Sequence, residues 1–303
     1  MSATHGRPAT TCQFMVDPPK PGAWNMAADE TLLDAADRSG VATLRFYRWQ
    51  KPTLSLGYFQ RLTQRDDHRP SREIAMVRRL SGGGALVHDH EITYALSLPA
   101  CHPLAKDHKS LYALVHQALI DTLLDYGISA RLHCPWQDAH AHQSPTGPTN
   151  PPGTPVESPT LVESPTPVES PTPTEAPFLC FQRLCPGDVL MSDRQGQPAK
   201  ILGSAQRRRH GALLQHGSLL LAASPAAPEL PGLHELAFGE PIQSSLSSCG
   251  ERSGYELVEP WYSHLKEKLG LDLISSPWES EQLRSIQQYQ QTRYCCSRWT
   301  GAR

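Results

Sequence analysis

The sequence predicts an α+β fold, and three observations carry that prediction. Apolar residues recur at helical spacing over 22–40 and 110–127, apolar and polar residues alternate over 44–59, 92–99 and 188–221, and the pattern of the last seventy residues turns helical again. With 303 residues, 39% of them hydrophobic, the chain is long enough to bury a substantial core.

In "GAWNMAADETLLDAADRSG", Met26, Glu30, Leu33 and Ala36 fall on one helical face, and Gly40 is a plausible stop. "LRFYRWQKPTLSLGYF" alternates in two runs separated by Lys51 and Pro52, the pattern of a hairpin or strand pair. "ITYALSLP" alternates with Ile92, Tyr94, Leu96 and Leu98 on one face. "SLYALVHQALIDTLLDYG" reads as a second helix, with Ser110 as N-cap, Leu111, Leu114, Val115, Ala118 and Leu119 inward, and Gly127 as its stop. "DVLMS", "AKILGSA" and "GALLQHGSLLL" read as short strands punctuated by Gly196, Gly203, Gly211 and Gly217. In "SPWE", Ser276 stands at a cap position, Pro277 at the first helical position and Glu279 three on from the cap, which specifies a helix start.

Residues 144–177 interrupt this pattern with eleven prolines, four glutamates, no basic residue and three copies of "VESPT" spaced six apart. Proline at that density favours extended, solvated chain, so the segment is expected to be a disordered insertion. Strand patterning resumes at "FLCFQRLCPGDVLMS", and a core cut there would expose apolar surface. The expected organisation is therefore a single domain over 1–303 with the insertion inside it and a mostly helical part at 225–303.

A formal net charge of −2 leaves no footprint for nucleic acid, and Arg207, Arg208 and Arg209 make only a short cluster, read as a solvated or partner-facing turn. The first twenty residues lack the apolar core of a secretory signal, and no stretch approaches a membrane span, so a cytoplasmic protein is expected. Eight cysteines, at 12, 101, 134, 180, 185, 249, 295 and 296, form no CxxC pair; most are expected to be buried thiols.

"RRLSGGGALVHDHEITY", residues 78–94, holds three consecutive glycines between strand-like runs. Glycine in an element interior costs roughly 0.5–1 kcal/mol relative to alanine, so a turn or a closely approaching ligand must require them. Neither a dinucleotide fingerprint nor a phosphate loop matches the spacing. Taken with "PAKILGSAQRRRHGALLQHGSLLL" at 198–221, the motif resembles the lipoate-protein ligase and octanoyltransferase family, whose superfamily includes biotin-protein ligase catalytic domains. The likeness runs from "GAWNMAADETLL" to about residue 221, with a weaker echo at "RYCCSRW".

That resemblance implies a mixed β-sheet flanked by helices, with the glycine loop against an acyl chain and Lys200 pointing at the acyl carbonyl. It implies substrate-binding roles for Arg79, Ser81, Gly82, Gly83, Gly84 and His88 in the first motif. In the second it implies the same for Gly203, Ser204, Ala205, Gln206, His216 and Gly217. Asp89 is read with His88 as a support of the loop. No metal is expected, because His88 and His90 have no third ligand at recognisable spacing.

Two chemistries divide the family. Among cysteine-dependent octanoyltransferases a Cys-Phe pair precedes the lysine segment, and "CFQRLCPGDVLM" places Cys180 there; His90, Glu91, Thr93 and Tyr94 fit the same branch. Cys185 falls where relatives more often carry serine and is a second candidate thiol. Gly84 stands where these transferases often carry arginine, which leans toward the ligases. A cysteine thiol has a pKa near 8.5, and a nearby ammonium lowers it by about a unit or more. Lys200 is open to three roles: supplying that charge, stabilising an oxyanion, or taking the proton from the incoming amine.

The first expectation is octanoyl transfer from acyl carrier protein to a lysine of lipoyl domains of 2-oxoacid dehydrogenases or of glycine cleavage H protein, without a cofactor. The alternatives are an ATP- and Mg-dependent lipoate-protein ligase, an amidotransferase between lipoylated proteins, and a non-catalytic binder of acylated proteins. Because residues 144–177 hold too little apolar content to pack, replacing them with a short glycine-serine linker should leave soluble yield and turnover near wild type. Loss of soluble protein would show that the segment is structural.

Overall fold

The computed structural model describes residues 10–135, 177–239 and 255–302. Within them eleven strands form two sheets. The larger contains β1 (Thr10–Val16), β2 (Ala42–Tyr47), β6 (Glu91–Leu98), β7 (Arg131–Leu132), β8 (Val189–Ser192), β9 (Pro198–Arg209), β10 (Ala212–Leu220) and β11 (Leu271–Ser275). Its order is β11-β1-β2-β6-β10-β9-β8-β7. The pairs β1/β11 and β1/β2 are parallel and the rest antiparallel, so the sheet is mixed. The smaller sheet has the order β4-β3-β5, from β3 (Thr53–Leu56), β4 (Ala75–Arg78) and β5 (Leu86–His88).

Helices cover both faces of the large sheet. Strand alternation explains how: Ile92, Tyr94, Leu96 and Leu98 of β6 join Leu44 and Phe46 of β2 on one face. Leu111, Val115 and Leu119 of α3 (His108–Asp125) and Trp261 and Leu265 of α5 (Val258–Leu269) close over that layer. Ala95 of β6, Tyr47 of β2 and Leu214 of β10 face the opposite way. They meet Met26 and Leu33 of α1 (Gly22–Ser39) and Ile286 of α6 (Ser280–Tyr289). Short helices α2 (Pro103–Lys106), α4 (Leu233–Phe238) and α7 (Ser297–Thr300) complete the α-helices of the described residues. Among the described residues, no helix is long and apolar enough to cross a membrane.

Several expectations need correction. β2 and β3 do not pair with each other: they belong to different sheets, and the Lys51-Pro52 break is a crossing between them. β9 and β10 are long strands that run straight through Gly203 and Gly217, because the ladder between them continues on both sides of each glycine. Arg207, Arg208 and Arg209 are not a turn but the end of β9, where Arg209 pairs with Glu30 at 2.9 Å. Asp107, not Ser110, caps α3, its carboxylate accepting the Ser110 N–H at 3.1 Å. The helix expected from "SPWE" starts later, at Ser280, with Glu279 at the cap, while Trp278 uses its indole N–H on Asp17. Of the seven cysteines described, only Cys12 is buried. Apart from Pro177, the expected insertion lies outside the described residues.

Trp261 is fully buried and packs against Phe46 and Tyr94 with ring centroids 5.2 and 5.4 Å away. Trp261→Ala leaves a cavity there and should lower unfolding free energy by about 3–5 kcal/mol, read from urea midpoints. A shift below about 1 kcal/mol would mean that α5 does not anchor that face.

Candidate active site

The Cys180 backbone is fastened directly to the glycine loop, which spans the gap between β4 and β5. The Ala85 N–H donates to Phe178 O at 3.0 Å, and the Cys180 N–H donates to Ala85 O at 2.7 Å. This is a two-rung parallel bridge between the loop and the chain that carries Cys180. It explains Gly84: a Cβ there would stand 3.0 Å from both Cys180 N and Phe178 O, so an arginine at this position would force the bridge apart. Cys180 then opens a 3₁₀ turn, Cys180–Gln182, which leaves its thiol half-buried beside Gly83.

Lys200 reaches the same place from β9. Its side chain curls back under Gly203, where a Cβ would lie 2.3 Å from Lys200 Cε; only glycine leaves room for the ammonium. Nζ lies 3.9 Å from Cys180 Sγ, donates to Arg183 O at 3.3 Å and pairs with Asp188 at 2.8 Å. The Asp188 carboxylate, fully buried, also accepts the Tyr112 hydroxyl at 2.8 Å and the Cys185 N–H at 2.7 Å. Burial first, and then the Asp188 charge, push the Cys185 thiol up, which disfavours it as a thiolate.

Two serine-histidine-carboxylate chains brace the other side. Ser81 Oγ is 2.5 Å from His216 Nε2, and His216 Nδ1 donates to Asp29 at 2.9 Å. Ser55 Oγ is 2.7 Å from His88 Nε2, and His88 Nδ1 donates to Glu91 at 2.7 Å. Trp49 stacks on the His88 ring at 3.8 Å. Asp89 accepts the Ser224 hydroxyl at 2.7 Å and so ties the end of β5 to the chain after β10.

A third chain has a fixed direction. Burial pushes His116 down to about 3, so the ring is neutral at ordinary pH. Its Nδ1 lies 2.7 Å from Gly187 O, which can only accept, so Nδ1 carries the hydrogen and Nε2 accepts from the Ser204 hydroxyl at 2.7 Å. Ser204 Oγ then accepts from Tyr94, and Tyr94 from Gln215 Nε2, at 2.6 and 2.7 Å. Gln215 Oε1 in turn accepts from Gln206 Nε2 at 2.6 Å.

These groups surround a cavity of about 300 Å³. Of the residues expected at the site, Arg79, Gly82, Gly83, His88, Cys180, Lys200, Gly203, Ser204, Ala205, Gln206, His216 and Gly217 line it. Ser81 and Gly84 do not: Ser81 turns to His216, and Gly84 lies against the Cys180 backbone. Sequence reading missed Asp188, Tyr112, Tyr47 and Met26, which also line it. Asp188 carried one usable signal, an acid in the short segment between the candidate thiol and lysine. Among the described residues, no cluster of three or more His, Cys, Asp or Glu is arranged to hold a metal ion.

A family model described as the lipoyl protein ligase A/B catalytic domain matches residues 21–229, and the chain belongs to that family. Octanoyltransferase LipM of Oceanobacillus iheyensis is 28% identical over 304 residues, covering 95% of this chain and 96% of its own length. A bi-partite lipoate protein ligase from Thermoplasma acidophilum, analysed with its E2 lipoyl domain, superposes with TM-score 0.60 at 17% identity, covering 96% of each chain. Lipoate-protein ligase A bound with ATP gives TM-score 0.59 at 18% identity, covering 97% of this chain and 98% of that one. These structures bear out the expected mixed sheet flanked by helices.

His116 also makes a pH prediction. Its folded-state value lies below the ordinary histidine value of 6.5 because burial disfavours the charged ring, so the unfolded chain binds a proton that the folded chain refuses. Its contribution to stability is complete above about pH 6.5 and is lost as pH falls toward 3. Urea midpoints of wild type should therefore drop between pH 7 and pH 5 more steeply than those of His116→Asn. Equal slopes would refute a neutral, buried His116.

Proposed function

We propose that this chain transfers an octanoyl group from acyl carrier protein to a lysine of a lipoyl domain or of glycine cleavage H protein, through a thioester on Cys180. The observation that carries the reading is the meeting of three parts in one cavity: the Cys180 thiol, the Lys200 ammonium 3.9 Å away, and a glycine loop whose backbone lines the wall. Its similarity to proteins named octanoyltransferase supports the acyl group. A volume of about 300 Å³ sits at the small end of ligand pockets, in keeping with a short acyl chain.

In this reading the Cys180 thiolate attacks the donor thioester carbonyl, and the donor's sulfur leaves as a thiolate. The neutral acceptor lysine amine then attacks the new thioester, an amide forms as the amine's proton passes to water, and Cys180 leaves as a thiolate. The first step exchanges one thioester for another and the second runs downhill to an amide, so neither needs a nucleotide. Among the described residues, no acceptor takes the N–H groups of Gly82 and Gly83, which leaves them available to a developing oxyanion. Lys200, fixed by Asp188, adds a donor on the thiol side. Arg79 holds the loop's curvature by donating to Gly82 O and Gly84 O, each at 2.7 Å.

Mixing wild type with octanoyl-acyl carrier protein should give an adduct on Cys180 that hydroxylamine removes, and adding apo-H protein without ATP should give an amide. Cys180→Ser should lose turnover by orders of magnitude with little change in melting temperature, since the substitution barely alters volume. Activity that appears only with ATP would replace this reading with the ligase one. No turnover under either condition would favour a binder of acylated proteins.

A further inference from the structure

The direction of the Lys200 ammonium depends on how the Asp188 carboxylate is held. Nζ pairs with Asp188 Oδ2 at 2.8 Å and donates to Arg183 O at 3.3 Å, so its third hydrogen is left for Cys180, whose O and Sγ lie 3.5 and 3.9 Å away. Oδ2 takes a second donor, the Cys185 N–H at 2.7 Å. Oδ1 takes a single donor among the described residues, the Tyr112 hydroxyl at 2.8 Å. Asp188 is fully buried, so an oxygen stripped of that donor would carry the cost of its lost hydration. Donors on both oxygens also hold the plane of a carboxylate more tightly than donors on one.

Tyr112 is itself fixed on several sides. Its oxygen accepts the Ser204 N–H at 3.2 Å, and its ring lies against Gly187, where a Cβ would stand 3.1 Å from Cδ1. The His116 ring, one turn further along α3, packs on it with centroids 4.1 Å apart. His116 binds the same two segments, its Nδ1 donating to Gly187 O and its Nε2 accepting from the Ser204 hydroxyl. One turn of α3 therefore grips both the residue before Asp188 and the strand that carries Lys200. Burial first, and then the Asp188 charge, push the Tyr112 phenol up, so it keeps its proton and serves as a donor.

We propose that Tyr112 is a positioning residue for acyl transfer: its hydroxyl fixes the plane of the Asp188 carboxylate and, through it, the direction in which Lys200 meets Cys180. The proposal rests on the reading of Cys180 as the acyl-carrying residue, and it gives the α3 wall of the cavity a task in the chemistry. No bond to Tyr112 forms or breaks in either transfer step, because the hydroxyl acts through the carboxylate alone. Sequence hides the link, since Tyr112 and Asp188 stand 76 residues apart and meet only where α3 lies against the turn at Gly187.

The test is single-turnover octanoyl transfer from octanoyl-acyl carrier protein to the full-length enzyme, followed by intact-protein mass spectrometry over a range of donor concentrations. Tyr112→Phe removes one oxygen and keeps the ring. Its limiting rate should fall about tenfold while the donor concentration at half-maximal rate stays within about twofold of wild type. In an Asp188→Ala background the same change should cost less than about twofold, because no carboxylate is left to orient. An unchanged limiting rate in Tyr112→Phe, or an equal tenfold loss in both backgrounds, would overturn the inference, the latter by showing that Tyr112 acts without Asp188. If Asp188→Ala does not fold, the crystal structure of Tyr112→Phe decides: a turned Asp188 carboxylate with Lys200 Nζ displaced from Cys180 supports the inference, and an unmoved pair refutes it. A wild type that forms no octanoyl adduct would instead overturn the functional reading, and the same crystal structure then tests the positioning of Lys200 by itself.

Discussion

The buried carboxylate of Asp29 joins the parts that must agree for this site to exist. It sits on α1, facing the sheet, and accepts from Arg45 of β2 at 2.8 Å, from Tyr47 of β2 at 2.9 Å and from His216 of β10 at 2.9 Å. His216 passes the constraint to Ser81 at the start of the glycine loop. One carboxylate therefore fixes the helix against two strands and the loop against the helix. Removing it would strand the Arg45 guanidinium, fully buried, with Asp17 as its remaining carboxylate partner, and would release the ring that positions Ser81.

The same logic recurs wherever polar groups meet the cavity. Glu91 gathers His88, Thr93 and Ser218, and Asp188 gathers Lys200, Tyr112 and the Cys185 amide. Hydroxyl and imidazole groups are turned back toward three buried carboxylates. Held this way, they present less hydrogen-bonding demand to the cavity, and a hydrophobic chain can lie there without leaving polar groups unpaired. Charge at the reacting end is kept apart from that packing, in the Lys200–Asp188 pair beside Cys180.

How much of this was legible depended on whether a residue's role followed from its neighbours in the chain. The strands at 91–98 and 212–220 could be read because their own alternation sets which face is apolar. The glycine loop and the Lys200 segment could be read because spacing alone marks them. Asp29 could not: Asn25, Asp29, Glu30 and Asp34 are all buried, so α1 has no solvent face of the kind an amphipathic pattern reports. Their partners lie on β2, at the end of β9, on β10 and after residue 288, and only the folded chain brings these together. The split of β2 and β3 into separate sheets was hidden for a similar reason. Each run looks like a strand, and nothing within 44–59 states that β2 finds β6 while β3 finds β5 and β4.

The thiol lies three residues after Pro177, where the described chain resumes, and its placement depends on what that short stretch bonds to. Among the described residues, the backbone around Cys180 is anchored by its own neighbours and by the glycine loop: Phe178 O and the Cys180 N–H clasp Ala85, Arg183 N–H returns to Cys180 O at 3.1 Å, and Arg183 Nε closes the turn onto Pro177 O. β8 then enters the sheet beside β9 and carries Asp188, one residue earlier, to Lys200. Among the described residues, the geometry around the sulfur is therefore set by the glycine loop and by β8 and β9.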